Sequence, residues 1–307
     1  MKRLLVTGLD GFVGEHVRQA VEGSRDKRFE LVIPRDAIEL RDRRTIEEAL
    51  KNAQPDCVLH LAAQSFIPAS VKDPQGTYEV NFFGTFHLLQ ALKARGFSGR
   101  VLYVGSADVY GAVPDDELPI TESCPFRPRT PYGVSKAAAE LLCYQWTQDQ
   151  SLDIVMARPF NHVGPGQAEQ FVVPDFARQV TEIRLGRREA SIKVGAIDVT
   201  RDFTDVRDVV QAYLALIERG KTGEAYNVCS GREYSIRDVL NELIQLAGIK
   251  CEIVVEPHRL RAAERKRNRG SKDKLAKCTG WAPRIPLTQS LRDVLAWWGE
   301  KLISRGA

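Results

Sequence analysis

The feature that most constrains the fold stands at the beginning of the sequence, where an apolar stretch, a glycine-rich turn and a helical pattern follow one another. We predict a strand at Lys2–Thr7, a turn at Gly8-Leu9-Asp10-Gly11-Phe12-Val13-Gly14 and a helix at Glu15–Val21. Glycines let the backbone approach a pyrophosphate, and a helix N-terminus supplies N–H groups and a favourable dipole. This order predicts a dinucleotide site, although the spacing is G-x-x-G-x-x-G rather than G-x-G-x-x-G.

Strand and helix patterns then alternate, which predicts a doubly wound parallel α/β sheet. Further strands are predicted at Glu30–Ile33, Asp56–Ala63, Val101–Val104 and Asp153–Pro159. Helices are predicted at Thr45–Asn52, Asn81–Leu92 and Pro131–Trp146. The segment 160–167 is too rich in Gly and Pro for regular structure. The later chain shows a mixed pattern of helices and short strands.

The end of the second strand bears on the choice of cofactor. An acid at this place usually binds the adenosine ribose, whereas an Arg suits a 2′-phosphate. The sequence here is Pro34-Arg35-Asp36, so NAD and NADP both stay open, with Arg35 favouring NADP.

Tyr132 and Lys136 stand four residues apart in a predicted helix, so their side chains share one face. An ammonium beside a phenol should lower the phenol's pKa from about 10, so that it can exchange a proton near neutral pH. Such a group could protonate an alkoxide as hydride reaches a ketone. The alternative is a Tyr and a Lys on a solvated helix face. Ser106, after the fourth strand, could donate a hydrogen bond to a substrate oxygen or could satisfy local backbone.

Composition excludes several classes of protein. The start of the chain has too short an apolar run for a signal peptide, and no later run is long enough to cross a bilayer. The 6 cysteines contain no Cys-x-x-Cys, which predicts reduced thiols, no zinc site and a cytoplasmic protein. The net charge of +4 fits a phosphorylated ligand but also an ordinary mixed surface.

A basic stretch occupies residues 259–277. It lacks interleaved aromatic residues and any nucleic-acid motif, so we expect no nucleic-acid partner. It could be a surface loop, or a lid that binds a diphosphate.

Together these motifs resemble the extended short-chain dehydrogenase/reductases that act on nucleotide sugars. The residues that carry the resemblance are Gly8, Gly11, Gly14, Leu61-Ala62-Ala63, Asn81, Ser106, Tyr132, Lys136 and Arg158-Pro159. Within that family, the run Asn161-His162-Val163-Gly164-Pro165-Gly166-Gln167, followed by Phe171-Val172-Val173, is similar to the GDP-4-dehydro-6-deoxy-D-mannose reductases.

The resemblance implies a Rossmann-type doubly wound parallel sheet with a smaller α/β C-terminal substrate domain. The dinucleotide-binding domain would span residues 1–160, with 205–228 returning to it, and residues 161–307 would mainly bind substrate. The cofactor would be NADPH or NADH, and the substrate a GDP-sugar made by a partner GDP-mannose 4,6-dehydratase. A homodimer would form through the two long helices that begin near Asn81 and Tyr132.

The resemblance also assigns roles to residues. Ser106, Tyr132 and Lys136 would be catalytic, with Asn81 supporting the helix around Lys136. The cofactor would contact Gly8, Gly11, Phe12, Val13, Gly14, Arg35, Leu40, Leu61, Ala62, Ala63, Tyr132 and Lys136. The substrate would contact Ser106, Asp108, Asn161, Arg178, Arg201, Arg261 and Glu264. Ala262 stands where relatives have Pro, which departs from their phosphate-binding motif.

Two alternatives stay open: a sibling nucleotide-sugar epimerase or dehydratase, and a cofactor-sensing short-chain fold without chemistry. The intact Ser106, Tyr132 and Lys136 speak against a sensor, which needs no proton donor. Ser106-Ala107-Asp108 favours a reductase over a dehydratase. Related dehydratases have Thr-Asp-Glu or Thr-Ser-Glu at this place, whereas Ala107 and the shorter Asp108 leave at most one carboxylate here.

Overall fold

The structure is a computed structural model, and it describes residues 1–25, 27–35, 37–149, 152–259 and 266–304. The strands are Lys2–Thr7 (β1), Phe29–Val32 (β2), Cys57–His60 (β3), Arg100–Val104 (β4), Asp153–Pro159 (β5), Asn161–Val163 (β6), Ser191–Val194 (β7), Thr200–Asp205 (β8), Ala225–Val228 (β9), Glu233–Ser235 (β10) and Glu252–Val255 (β11). The α-helices are Phe12–Glu22 (α1), Arg43–Ala53 (α2), Ile67–Lys72 (α3), Pro74–Tyr78 (α4), Gly84–Ala94 (α5), Pro131–Asp149 (α6), Val172–Arg184 (α7), Val206–Arg219 (α8), Ile236–Ala247 (α9), Asp273–Thr279 (α10) and Leu287–Ser304 (α11).

Six strands in the described part of the chain form one parallel sheet in the order β2-β1-β3-β4-β5-β9. Successive residues of β1 point to opposite faces, so Leu4 packs with α1 and α8 while Leu5 packs with α2, α5 and α6. Because helices cover both faces, most residues of the strands are apolar, as expected of a buried parallel sheet. The predicted doubly wound α/β fold is therefore confirmed.

Residues beyond β5 build a second core. Helices α7, α9 and α11 pack around Val163, Ile192, Phe203 and Trp298, beside a sheet of order β10-β8-β6 and the parallel pair β11-β7. The chain then returns to the first sheet, where β9 pairs with β5 and α8 covers one face. Asp205 caps α8 by accepting a hydrogen bond from the Arg207 N–H at 2.8 Å.

Two local predictions need correction. Segment 160–167 was expected to be irregular, but Asn161–Val163 forms β6, which pairs in parallel with β8. The helix expected from Asn81 is a π-helical turn over Glu79–Phe83 that continues into α5. Such turns occur frequently at functional sites.

The strand order reverses between β1 and β3, which lie side by side although β2 separates them in sequence. In open α/β sheets, ligands bind beyond the carboxyl ends of the strands at such a switch point. None of the described helices contains an apolar, nearly uncharged stretch long enough to cross a membrane.

Candidate active site

The glycine turn joins β1 to α1 at this switch point. Gly8 has φ +75°, and a Cβ added there would lie 3.0 Å from the backbone of Ala62. A Cβ on Gly14 would lie 2.3 Å from the Leu9 carbonyl oxygen, too close for any side chain. Gly11 caps α1 without a side-chain hydrogen bond. The turn is thus a backbone cradle at a helix N-terminus, which fits a dinucleotide pyrophosphate.

Phe12 connects this turn to the predicted substrate segment. Its ring stacks on His162 at 6.0 Å between centroids and 6° between planes, and it meets His16 edge-on. His16 Nε2 also lies 2.9 Å from the Pro165 carbonyl oxygen. The turn and the segment after β5 therefore pack together, while Val13 packs toward the core.

The end of β3 forms the second wall of the cradle. The Ala62 N–H donates to Thr7 Oγ1 at 3.2 Å, and Thr7 Oγ1 lies 2.7 Å from His60 Nδ1. Leu61, Ala62 and Ala63 are partly exposed at this edge. Burial lowers the pKa of His60 to about 3, so it is a neutral core histidine.

The predicted ribose-binding residues lie on either side of a gap in the described chain. Arg35 is exposed three residues beyond the end of β2. Leu40 is buried against Gly84, and its carbonyl oxygen lies 3.1 Å from His87 Nδ1. Asp36 lies outside the described residues.

Ser106, Tyr132 and Lys136 come together beyond the end of β4. Ser106 begins a 3-10 turn over Ala107–Tyr110, and its Oγ accepts a hydrogen bond from the Asp108 N–H at 3.1 Å. Tyr132 lies in the first turn of α6, within hydrogen-bonding reach of Ser106. All three side chains are buried, so water has little access to them.

The expectation that the pKa of Tyr132 lies below its ordinary value is wrong for this structure. Burial raises the pKa of Tyr132, the charge of Asp108 raises it further, and the hydrogen bond with Ser106 opposes both. Lys136 Nζ instead donates to the Val104 carbonyl oxygen at 2.8 Å and lies 5.2 Å from the centre of the Tyr103 ring. Tyr132 is consequently a protonated phenol at neutral pH, which is the form that donates a proton.

Asn81 holds α6 against the loop after β3. Its Nδ2 donates to Ser135 Oγ at 2.9 Å and to the Gln64 carbonyl oxygen at 3.0 Å, and its Oδ1 accepts from the Gln64 N–H at 2.8 Å. Ser135 directly precedes Lys136. Asn81 thus supports the helix that carries Lys136, although it touches Ser135 rather than the lysine itself.

The predicted substrate residues are more scattered. Asn161 is exposed at the start of β6, and Asp108 is partly buried near Tyr132. Arg201 lies on β8, where its Nη1 donates to the Thr200 carbonyl oxygen at 2.7 Å. Arg178 lies on α7 among carboxylates, with Nη1 2.6 Å from Glu182 and Nη2 3.2 Å from an Asp175 oxygen. These ion pairs make Arg178 a poor candidate for a diphosphate ligand.

Arg261 and Glu264 lie outside the described residues, as does Ala262. Described cations around them form ion pairs within the chain. Arg259 contacts Asp175 at 2.8 Å, Lys274 contacts Glu224 at 2.6 Å, and Arg267 pairs with Glu233. Three cations of the basic stretch are thus paired with carboxylates of the same chain.

Sequence reasoning missed a buried ion pair between the catalytic helix α6 and strand β5. Glu140 and Arg158 pair at 2.6 Å, with side-chain exposures of 4% and 8%. Glu140 follows Lys136 by one helical turn, a spacing that could have identified it. Arg158 was noticed only as part of a motif, because sequence gives no distance between a strand and a helix.

Comparison with protein families gives one match that spans most of the chain. The model described as GDP-mannose 4,6 dehydratase matches residues 15–294.

Individual relatives divide by reaction. The chain is similar to the GDP-6-deoxy-D-mannose reductase of Pseudomonas aeruginosa, with 45% identity over 98% of each sequence. It is also similar to the dTDP-glucose 4,6-dehydratase of Mycobacterium tuberculosis, with 31% identity over 80% of this chain and 77% of the relative. Among solved structures, RMD from Pseudomonas aeruginosa complexed with NADPH superposes with a TM-score of 0.94 at 44% identity, covering 98% of this chain and 100% of the other.

Proposed function

The chain belongs to the GDP-mannose 4,6-dehydratase family, and from that premise we propose that it is a reductase of GDP-4-dehydro-6-deoxy-D-mannose that forms GDP-D-rhamnose. The observation that carries the proposal is the 45% identity, over nearly the whole of both chains, with a GDP-6-deoxy-D-mannose reductase. The family name alone does not decide the reaction, because a reductase and a dehydratase both match this chain.

The cofactor is NADPH or NADH, and when bound it supplies the hydride that reduces the C4 ketone. The backbone of Gly8, Gly11 and Gly14 would hold its pyrophosphate, because side chains there would fill the cradle. The solved relative binds NADPH, and an exposed Arg35 beyond β2 suits a 2′-phosphate. These two observations favour NADPH.

Tyr132 donates the proton that completes the reduction. As hydride arrives at C4, the ketone oxygen becomes an alkoxide and takes the phenolic proton. Ser106, which already lies beside Tyr132, would donate a hydrogen bond to the same oxygen and stabilise its developing charge. The buried Lys136 ammonium stabilises the phenolate left behind. On the substrate side, Asn161 and Arg201 would bind the sugar diphosphate.

The residues beside Ser106 support simple reduction over dehydration. A dehydratase must also remove a proton from C5 and expel water from C6, which requires acid–base groups besides the tyrosine. Here Ala107 is buried and carries no such group, so Asp108 is the single carboxylate of the pair. A carboxylate one carbon shorter than Glu sits about 1 Å away from the productive place, and such a shift can cost about 10²-fold in rate.

The experiment incubates the purified protein with NADPH and GDP-mannose, with and without a separate GDP-mannose 4,6-dehydratase. We expect NADPH to be consumed only when the dehydratase is present, with GDP-D-rhamnose as product. Formation of the 4-keto-6-deoxy sugar by this protein alone would contradict the assignment. A matched pair of reactions with NADH in place of NADPH measures the cofactor preference.

Assembly and location complete the proposal. We infer a homodimer, because apolar side chains project from α6 and the turn packed on it: Phe83, Val134, Leu141 and Tyr144 are between 42% and 60% exposed. The dehydratase is a functional partner that supplies the substrate. We also infer a cytoplasmic enzyme, in keeping with six free cysteines.

We further infer a dinucleotide-binding domain made of residues 1–160 and 205–228. The remaining residues would mainly bind substrate.

A further inference from the structure

A buried ion pair lies one turn beyond Lys136, on the face of α6 that carries the reacting groups. Arg158 donates to Glu140 through Nη2 at 2.6 Å and through Nε at 2.9 Å. Two-point contacts of this kind orient a guanidinium and a carboxylate as well as attracting them. A buried charge pair costs desolvation energy that offsets much of its attraction, so a gain in folding stability does not by itself explain this pair.

The pair joins the elements that carry the active site. Glu140 is on α6, and Arg158 is on β5, three residues before Asn161. Arg158 Nη1 donates to the Tyr110 hydroxyl at 2.7 Å, and Tyr110 ends the turn that Ser106 begins. The rings of Tyr110 and Phe126 lie 5.1 and 4.7 Å from the guanidinium carbon.

The Glu140 carboxylate also reaches the backbone beside Ser106. A Cβ placed on Gly105 would lie 3.1 Å from Glu140 Oε2 and 3.1 Å from the Ala157 carbonyl oxygen. Gly105 therefore lets the carboxylate approach the strand end directly before Ser106. Any side chain at this position would push Glu140 away from it.

Glu140 faces Lys136 one turn earlier on the same helix. Burial lowers the pKa of Lys136 to about 8, and negative charge at Cys143 or Glu140 opposes this shift. Burial raises the pKa of the Cys143 thiol, so the thiol is neutral. Burial also raises the pKa of the Glu140 carboxyl, and the two-point contact with the Arg158 guanidinium opposes that rise and favours the carboxylate. The groups facing the pair and Lys136 from neighbouring elements are His60 on β3, Tyr103 on β4, Tyr110 and Glu122 after β4, and Lys274 on α10. Of the two carboxylates, Glu140 rather than Glu122 opposes the lowering of the Lys136 pKa.

We propose that Glu140 and Arg158 are positioning residues for the reduction: Arg158 fixes the Glu140 carboxylate and holds the Ser106 turn through Tyr110, and the carboxylate keeps Lys136 an ammonium. This inference rests on the proposed function, in which the Lys136 charge stabilises the Tyr132 phenolate. It adds two residues that contact neither ketone nor cofactor in that scheme. They act through Lys136 and Ser106.

The test measures kcat/KM against pH for the wild type, Glu140→Gln and Glu140→Asp. We expect a loss of rate as pH rises through about 8 in the wild type, because Lys136 then loses its proton. In Glu140→Gln this loss should begin about one pH unit lower or more, because the negative charge is gone and Arg158 is left unbalanced. Glu140→Asp keeps the charge and should restore most of the wild-type profile.

Glu122→Gln is the matched control. Glu122 Oε1 accepts from the Asn227 N–H at 2.8 Å in the same network, but it does not face Lys136. This variant should keep the wild-type midpoint even if its rate falls. An unchanged midpoint in Glu140→Gln, with the rate reduced equally at every pH, would overturn the proposal and leave the pair a purely structural role.

Two additions protect the test. If Glu140→Gln fails to fold, the double variant Glu140→Gln with Arg158→Met is used, because it removes both buried charges. The midpoint of its pH profile should still fall, by a smaller amount. Lys136 is also titrated directly by NMR of protein carrying ¹³C-labelled lysine, assigned with Lys136→Met. A lowered Lys136 midpoint in Glu140→Gln supports the pair even if the wild type reduces no GDP-sugar, and an unshifted midpoint refutes the pair whatever the substrate.

Discussion

Replacing Tyr132 by Phe removes a single hydroxyl group from the active site and leaves the ring that packs there. Only 8% of Tyr132 is exposed, so bulk water cannot easily take over as proton donor. Proton transfer by a positioned side chain contributes typically about 10²–10⁴-fold, which corresponds to roughly 3–5 kcal/mol of transition-state stabilisation. We therefore expect turnover to fall by at least about 10²-fold.

Stability should change much less than turnover. Ser106 Oγ keeps its hydrogen bond from the Asp108 N–H at 3.1 Å and loses only the hydrogen bond with the Tyr132 hydroxyl. A lost hydrogen bond of this kind costs about 0.5–1.5 kcal/mol. Cofactor affinity should stay within a few-fold of the wild type, because the glycine turn is untouched.

The assay follows NADPH consumption at saturating 4-keto-6-deoxy sugar, with NADPH affinity measured separately by fluorescence titration. Tyr144→Phe is the matched control, since Tyr144 lies on the same helix but is 50% exposed. It should retain wild-type turnover. A Tyr132→Phe enzyme with near wild-type turnover would remove Tyr132 from the proton-transfer step and refute the mechanism.

Three further predictions concern the cofactor cradle and the assembly. Arg35→Ala should weaken NADPH binding by about tenfold or more and NADH binding little, because only NADPH has a 2′-phosphate for the guanidinium to pair with; equal losses in two titrations would show that Arg35 lies elsewhere. Gly14→Ala should lower NADPH affinity at least tenfold and cost about 1–3 kcal/mol of stability, because its Cβ would lie 2.3 Å from the Leu9 carbonyl oxygen. An unchanged unfolding temperature and an unchanged NADPH affinity would contradict this prediction. Leu141→Lys should shift the protein toward monomer in light scattering, whereas Ile303→Lys, equally exposed on α11, should not; a stable dimer in the first variant would place the interface on another surface.

The sequence predicted the first sheet well because its physics is local. A parallel strand covered by helices on both faces is mostly apolar, so β1 and β5 were predicted with their observed bounds. The short strands β6, β8 and β10 depend on pairing between residues far apart in sequence. Gly and Pro directly after Asn161–Val163 led us to predict an irregular segment there. β6 forms because β8 pairs with it.

The candidate site divides in the same way. The sequence motifs were sufficient to identify the glycine turn, Ser106, Tyr132 and Lys136 as candidate site residues. They could not give the protonation of Tyr132, because helical spacing reports that two side chains are neighbours and says nothing about how deeply they are buried. Burial proved the larger influence on the phenol's pKa. Glu140 and Arg158 escaped notice for a related reason, since their contact joins a helix to a strand.

The return of the chain to the first sheet has a consequence for the protein as it leaves the ribosome. Helix α8 and strand β9 complete the nucleotide-binding half, yet they are made after the whole segment from β6 to β8. Until then, the face of the sheet that carries Leu4, Val6 and Val155 is covered by α1 but not by α8. At ordinary translation speeds this interval lasts several seconds, long enough for chaperones or neighbouring chains to bind the open surface. Vectorial synthesis therefore cannot finish one half before starting the other, and both halves must mature together.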